Sequence, residues 1–134
     1  MAGFGRTGKL FGFCHAPSVV PDLITFAKGV NGAFLPLAGI GMRSHIAEHF
    51  RGSAAHMVGS TYHSHPVALA SAYAALKVML RDGLVERAAA LGPVMSACMD
   101  DLLAKHPSVK QARNRGLFGA FDVQRNRTGT FIGA

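Results

Sequence analysis

A short apolar run that ends on a lysine is the feature that most constrains how this chain folds. Leu23–Ala27 is bounded by Pro21-Asp22 on one side and by Lys28-Gly29 on the other. Short apolar runs between turn residues are typical of strands that are buried on both faces. Such strands belong to α/β sheets, which bind ligands at the carboxyl ends of their strands. The pattern therefore predicts an α/β fold with Lys28 at a ligand-binding edge.

Two interpretations of Lys28 follow from this position. At a strand end its ammonium is partly desolvated, which favours the neutral amine, and a neutral amine can form a Schiff base with a carbonyl. The same pattern also fits a lysine that ends a strand and extends its amine into water.

The remainder of the chain predicts alternating strands and helices. A second strand is expected over Leu37–Met42, and Ser44 is expected to cap a short helix that ends near Phe50. Pro66 favours the first position of a helix that continues to Leu80, and this helix is apolar on nearly all sides, as buried helices are. A last strand is expected over Leu117–Val123. The amphipathic helix between these last two elements places one apolar face on Leu84, Ala88, Leu91, Met95, Cys98 and Leu102.

Three linked motifs resemble those of a known family. They are the glycine-rich segment Gly3-Phe4-Gly5-Arg6-Thr7-Gly8, the pair Pro21-Asp22 followed by Ala27-Lys28-Gly29, and Thr61 with Pro66 before a long helix. In this order and spacing they resemble the class III (ω-) aminotransferases. The resemblance implies the fold-type I, α/β architecture and the cofactor pyridoxal 5'-phosphate.

The resemblance also implies roles for two residues. Lys28 would form the Schiff base with pyridoxal phosphate and move the proton between substrate and cofactor. Thr61 would bind the phosphate of the cofactor in the other subunit of a homodimer. A Ser/Thr/His cluster before a proline is also an ordinary helix entry, so a purely structural role for Thr61 stays open. The implied substrates are an amine or ω-amino acid and a 2-oxo acid such as pyruvate or 2-oxoglutarate.

The same resemblance implies a domain division near residue 82. Residues 1–81 would be the C-terminal part of the large cofactor domain, and residues 82–134 would begin the small C-terminal domain. The expected N-terminal half, with the aspartate that pairs with the pyridine nitrogen, would precede Met1. The chain is therefore expected to be a fragment that is inactive alone.

Composition narrows the class of protein. The net charge is +7, from 14 lysines and arginines against 7 acidic residues. The densest basic group, Lys110, Arg113, Arg115, Arg125 and Arg127, lacks the interleaved aromatic residues of a base-stacking platform, so a nucleic-acid partner is not expected. No apolar run reaches the ~18 residues needed to cross a bilayer. Cys14 and Cys98 form no disulfide framework, which favours a cytoplasmic location.

Other motifs provide weaker alternatives. Gly3-x-Gly5-x-x-Gly8 matches the dinucleotide fingerprint but lacks a preceding strand, and Leu10 stands where a P-loop requires Ser or Thr. His45-x-x-Glu48-His49 spells an inverted zinc-protease motif, yet the chain offers no clear third ligand, and no metal site is predicted. The alternatives to a transaminase are a non-catalytic remnant or binding module of the same fold and, more remotely, a zinc hydrolase.

Overall fold

The computed structural model describes residues 1–51, 59 and 61–124, and these residues form two compact units. Among the described residues, one unit contains Met1 and those within 13–82, and the other contains Ala2–Gly12 and those within 83–124. Arg125 and Arg127 of the basic group lie outside the described ranges. No helix in these ranges is long and apolar enough to cross a membrane.

The first unit contains a two-stranded antiparallel sheet. Strand β1 (Leu23–Ala27) pairs with β2 (Ala38–Met42), so that Leu23 lies opposite Met42 and Ala27 opposite Ala38. Both predicted strands are confirmed, but the predicted burial of β1 on both faces is wrong for the described residues. Exposed and half-buried residues alternate along each strand, because each has one neighbouring strand and a face that nothing in the described part covers.

Two helices complete the first unit. Helix α1 spans Ser44–His49 and α2 spans Pro66–Arg81, with Pro66 at the predicted N-terminal position. The predicted cap at Ser44 is wrong, since Ser44 is already helical and Arg43 occupies the cap position without a side-chain hydrogen bond. Helix α2 is less enclosed than its composition predicts. It buries Ala68, Ala72 and Met79 and exposes Val67, Leu69, Tyr73, Val78 and Leu80.

The second unit consists of a long helix and a hairpin. Helix α3 (Leu84–Lys105) packs on β3 (Val109–Arg115), which pairs with β4 (Phe118–Val123). Strand β4 is confirmed, whereas β3 was not predicted. The buried face of α3 runs through Ala88, Gly92 and Met99, whereas Leu84, Leu91, Cys98 and Leu102 of the predicted face are exposed.

The side chain of Asn114 joins the hairpin to α3. Its Nδ2 donates to the carbonyl oxygens of Gly92 (3.1 Å) and Gly116 (3.0 Å), and its Oδ1 accepts from the Ser96 hydroxyl at 2.7 Å. The hairpin turns at Gly116, which has a φ of +56°. A glycine is favoured at this conformation because it has no Cβ.

The glycine-rich segment Ala2–Gly12 belongs to this second unit and packs closely against α3 and the hairpin. The Leu117 N–H donates to the Arg6 carbonyl oxygen at 2.9 Å. A Cβ on Gly8 would lie 2.8 Å from Cα of Ala89 in α3. The glycines at the start of the chain therefore allow backbone to lie directly against α3 and the hairpin.

Candidate functional site

Lys28 directly follows β1 and has a backbone conformation that is unusual for a lysine. Ala27 is extended, with φ −157° and ψ −162°, and Lys28 then has a φ of +52° and opens the 3₁₀ turn Lys28–Val30. For a residue with a Cβ this left-handed region is sparsely populated and costs about 1–2 kcal/mol. The direction in which the Lys28 side chain leaves the backbone is thus fixed by this turn rather than by the pleat of the strand.

A buried asparagine closes the loop that follows Lys28. Asn31 is only 1% exposed, and its Nδ2 donates to the Leu35 carbonyl oxygen at 2.8 Å. Its Oδ1 accepts from the Ala33 N–H at 3.1 Å, and the same N–H also donates to the Lys28 carbonyl oxygen at 3.1 Å. Asn31 was not predicted as a functional residue. Its position three residues after the candidate lysine, before Gly32, is the signal in the sequence that could have identified it.

The environment of Lys28 differs from the expected one. The residue is exposed, so the predicted partial desolvation by its surroundings is wrong for the described residues. Its Nζ makes no hydrogen bond or ion pair within residues 1–51, 59 and 61–124. The structure therefore presents a primary amine that is accessible and unpaired in the described part of the chain.

Thr61 lies in the turn that leads to α2 and is exposed. Helix α2 begins after His65, which makes no side-chain capping hydrogen bond, and its first turn has no acidic residue. The N–H groups and the positive dipole end of such a helix favour an anion. Helix α2 also contacts the 3₁₀ turn that begins with Lys28. The first unit thus brings the helix that follows Thr61 against the turn that carries the candidate lysine.

Residues of the competing motifs make contacts unrelated to the functions that those motifs suggest. His45 lies 3.8 Å from Asp22, which also pairs with Arg43 at 3.6 Å, and all three side chains are exposed. Among the residues described, no three His, Cys, Asp or Glu side chains are close enough to hold a metal ion. The glycine-rich segment, which matched the dinucleotide and P-loop motifs in part, contacts α3 and the hairpin through its own backbone.

Comparisons with known proteins point to one family. The profile described as "Aminotransferase class-III" matches residues 1–133. An uncharacterised aminotransferase of Schizosaccharomyces pombe is 34% identical over 95% of the chain and 28% of its own length. The putrescine–pyruvate aminotransferase of Pseudomonas aeruginosa is 32% identical over the same shares.

A solved structure agrees with these sequence matches. The taurine:2-oxoglutarate aminotransferase of Bifidobacterium kashiwanohense, in complex with pyridoxal phosphate and glutamate, superposes with a TM-score of 0.92 at 33% identity. The match covers 98% of this chain and 29% of that one. The chain therefore spans less than a third of the relatives that it matches.

Proposed function

Because the chain belongs to the class III aminotransferases and has their fold-type I, α/β architecture, we propose that it contributes the catalytic lysine of a transaminase. The reaction moves an amino group from an amine or ω-amino acid to a 2-oxo acid, pyruvate or 2-oxoglutarate. The observation that carries the proposal is Lys28 itself. Its amine, which is unpaired among the described residues, follows β1 on a backbone turn held by the hydrogen bonds of Asn31.

The residues present fit pyridoxal phosphate by their chemistry. The cofactor, when bound, supplies an aldehyde that condenses with amines and a ring that accepts electrons. Lys28 offers the amine for that aldehyde. Thr61 offers a hydroxyl, and the uncapped start of α2 offers backbone N–H groups to the phosphate.

Lys28 acts twice in this proposal. Its Nζ would hold the cofactor by bonding to the aldehyde carbon that the cofactor supplies. As a free amine, Nζ would take the proton from the substrate carbon and deliver it to the cofactor. The fixed turn at residues 28–30 keeps Nζ within reach for both steps.

The substrates and the assembly are proposals at the same level. The matched relatives are named for different donors, putrescine and taurine, and for both acceptors, pyruvate and 2-oxoglutarate. We propose a cytoplasmic homodimer in which Thr61 binds the phosphate of the partner subunit's cofactor. We further propose that residues 1–134 alone do not catalyse transamination, since Lys28 and Thr61 are both exposed in them.

A graft tests the role of Lys28. Residues 1–134 replace the matching segment of the Bifidobacterium aminotransferase, and transamination is measured with Lys28→Ala and with Lys77→Ala as the matched exposed lysine. Lys28→Ala should abolish turnover and the borohydride-trapped cofactor peptide, whereas Lys77→Ala should retain both. Turnover that survives Lys28→Ala would refute the assignment, and a graft that folds but never binds pyridoxal phosphate would favour a non-catalytic remnant.

A further inference from the structure

The left-handed backbone of Lys28 requires a partner that holds it. An isolated lysine would leave this region for the broad extended or right-handed helical regions. Ala33 in the same loop also has a positive φ, at +65°, whereas Gly32, at +64°, adopts this region without strain. A loop with two such non-glycine residues persists only where surrounding contacts fix it.

Asn31 makes the contacts that fix this loop. Its amide spans the loop, because Oδ1 accepts from Ala33 on one side and Nδ2 donates to the Leu35 carbonyl on the other. The Ala33 N–H is shared between Asn31 Oδ1 and the Lys28 carbonyl oxygen, each at 3.1 Å. Asn31 thus acts on Lys28 through one common donor. Asn31 itself is 1% exposed, so water has little access to its amide group.

We propose that Asn31 is a positioning residue for Lys28, which sets where the amine stands without itself touching the substrate. The inference rests on the proposed function of Lys28. An alanine at position 31 leaves the Leu35 carbonyl without this donor and removes one of the two acceptors of the Ala33 N–H. The turn is then free to open, and the Lys28 side chain loses its fixed direction.

The rate of trypsin cleavage after Lys28 measures how readily the turn opens, and this measurement needs neither the cofactor nor transaminase activity. The protease needs an extended chain around the Lys28–Gly29 bond, so cleavage there follows opening of the loop. In the 134-residue chain, Asn31→Ala should speed cleavage at Lys28 about tenfold, which corresponds to about 1.4 kcal/mol. Asn31→Ser keeps an acceptor for the Ala33 N–H and should give an intermediate rate. Asn114→Ala, which removes a comparable amide in the second unit, should leave this rate unchanged.

The graft reports on the amine. With Asn31→Ala, kcat should fall about tenfold while KM for the amine donor stays unchanged, because proton transfer depends on the placement of Nζ and binding of the donor does not. Asn31→Ser should restore part of kcat, and Asn114→Ala should not lower it.

The outcomes separate the two proposals. An unchanged cleavage rate at Lys28 in Asn31→Ala overturns the positioning role, whatever the graft shows. An unchanged kcat in a graft that Lys28→Ala inactivates also overturns it and leaves the function of Lys28 intact. Turnover that persists in Lys28→Ala instead refutes the proposed function.

Discussion

Replacing Gly116 with alanine should destabilise the second unit more than the same replacement at Gly83, which has a similar positive φ. A Cβ at this position would clash with the carbonyl carbon of Thr7, and it would lie 2.7 Å from the Thr7 oxygen and 2.9 Å from the Gly8 nitrogen. All three are backbone atoms, so no side-chain rotation relieves the contact. The glycine-rich segment must move away from the hairpin instead.

The expected loss of stability combines two costs and one offset. The left-handed φ of +56° costs an alanine about 1–2 kcal/mol. Overpacking against fixed neighbours costs a further ~1–3 kcal/mol. Reduced entropy of the unfolded chain returns about 0.4–1 kcal/mol. We therefore expect a loss of about 2–4 kcal/mol in the free energy of unfolding.

Gly83→Ala is the matched control. Gly83 has a φ of +60°, and a Cβ there would meet only Glu86 Oε2, at 3.6 Å. This variant has the conformational cost without the clash, so we expect a loss of about 1 kcal/mol. Urea unfolding monitored by circular dichroism measures the unfolding midpoint of both variants. At typical m-values, we expect the midpoint of Gly116→Ala to lie about 1–2 M below that of the unsubstituted chain. Equal midpoints for the two variants would refute the close contact between the glycine-rich segment and the hairpin.

Three further predictions concern single side chains. Thr61→Val should weaken pyridoxal phosphate binding by the graft roughly ten- to hundredfold, since a hydrogen bond to a charged group contributes about 1.5–3 kcal/mol, while Ser18→Ala should not. The hydrogen bond from Arg81 holds the pKa of the Asp82 carboxyl below its ordinary value. The stabilisation that this pair provides should thus be present above the ordinary pKa of an aspartate and lost as the pH falls through the lowered pKa of Asp82. In Arg81→Ala, an NMR titration should show the pKa of Asp82 back in its ordinary range. Asn114→Ala should lower the unfolding free energy by about 1–3 kcal/mol in the same urea assay, and a change below 0.5 kcal/mol would contradict its bridging role.

Elements with a strong local pattern were predicted well. The apolar run of β1 and Pro66 at the first position of α2 correctly predicted the starts of these elements, because turn residues and proline restrict the backbone directly. Strand β3 was missed because its sequence, Val109–Arg115, is polar and charged on both faces. Its stability comes from pairing with β4 and from the bonds of Asn114, which no periodicity encodes.

The error in the buried face of α3 has its own physical origin. Gly92 and Met99 are buried in place of the neighbouring Leu91 and Cys98, because Gly92 lets the hairpin approach closely. A Cβ on Gly92 would lie 3.1 Å from Cα of Gly116. The motif around Lys28 predicts its role from the sequence alone, whereas the hydrogen bonds of Asn31 depend on the three-dimensional path of the loop and have no such signal.

The division of the second unit along the chain has a consequence for biosynthesis. Residues 2–12 leave the ribosome before the helix and hairpin that they contact, which lie beyond residue 82. At about 5–20 residues per second, this segment waits on the order of ten seconds for its partners. Phe4 and Phe11, whose rings pair at 5.6 Å, can meet during that time because they are close in sequence. The remaining contacts have high contact order, so the second unit should complete its folding only after translation of the hairpin.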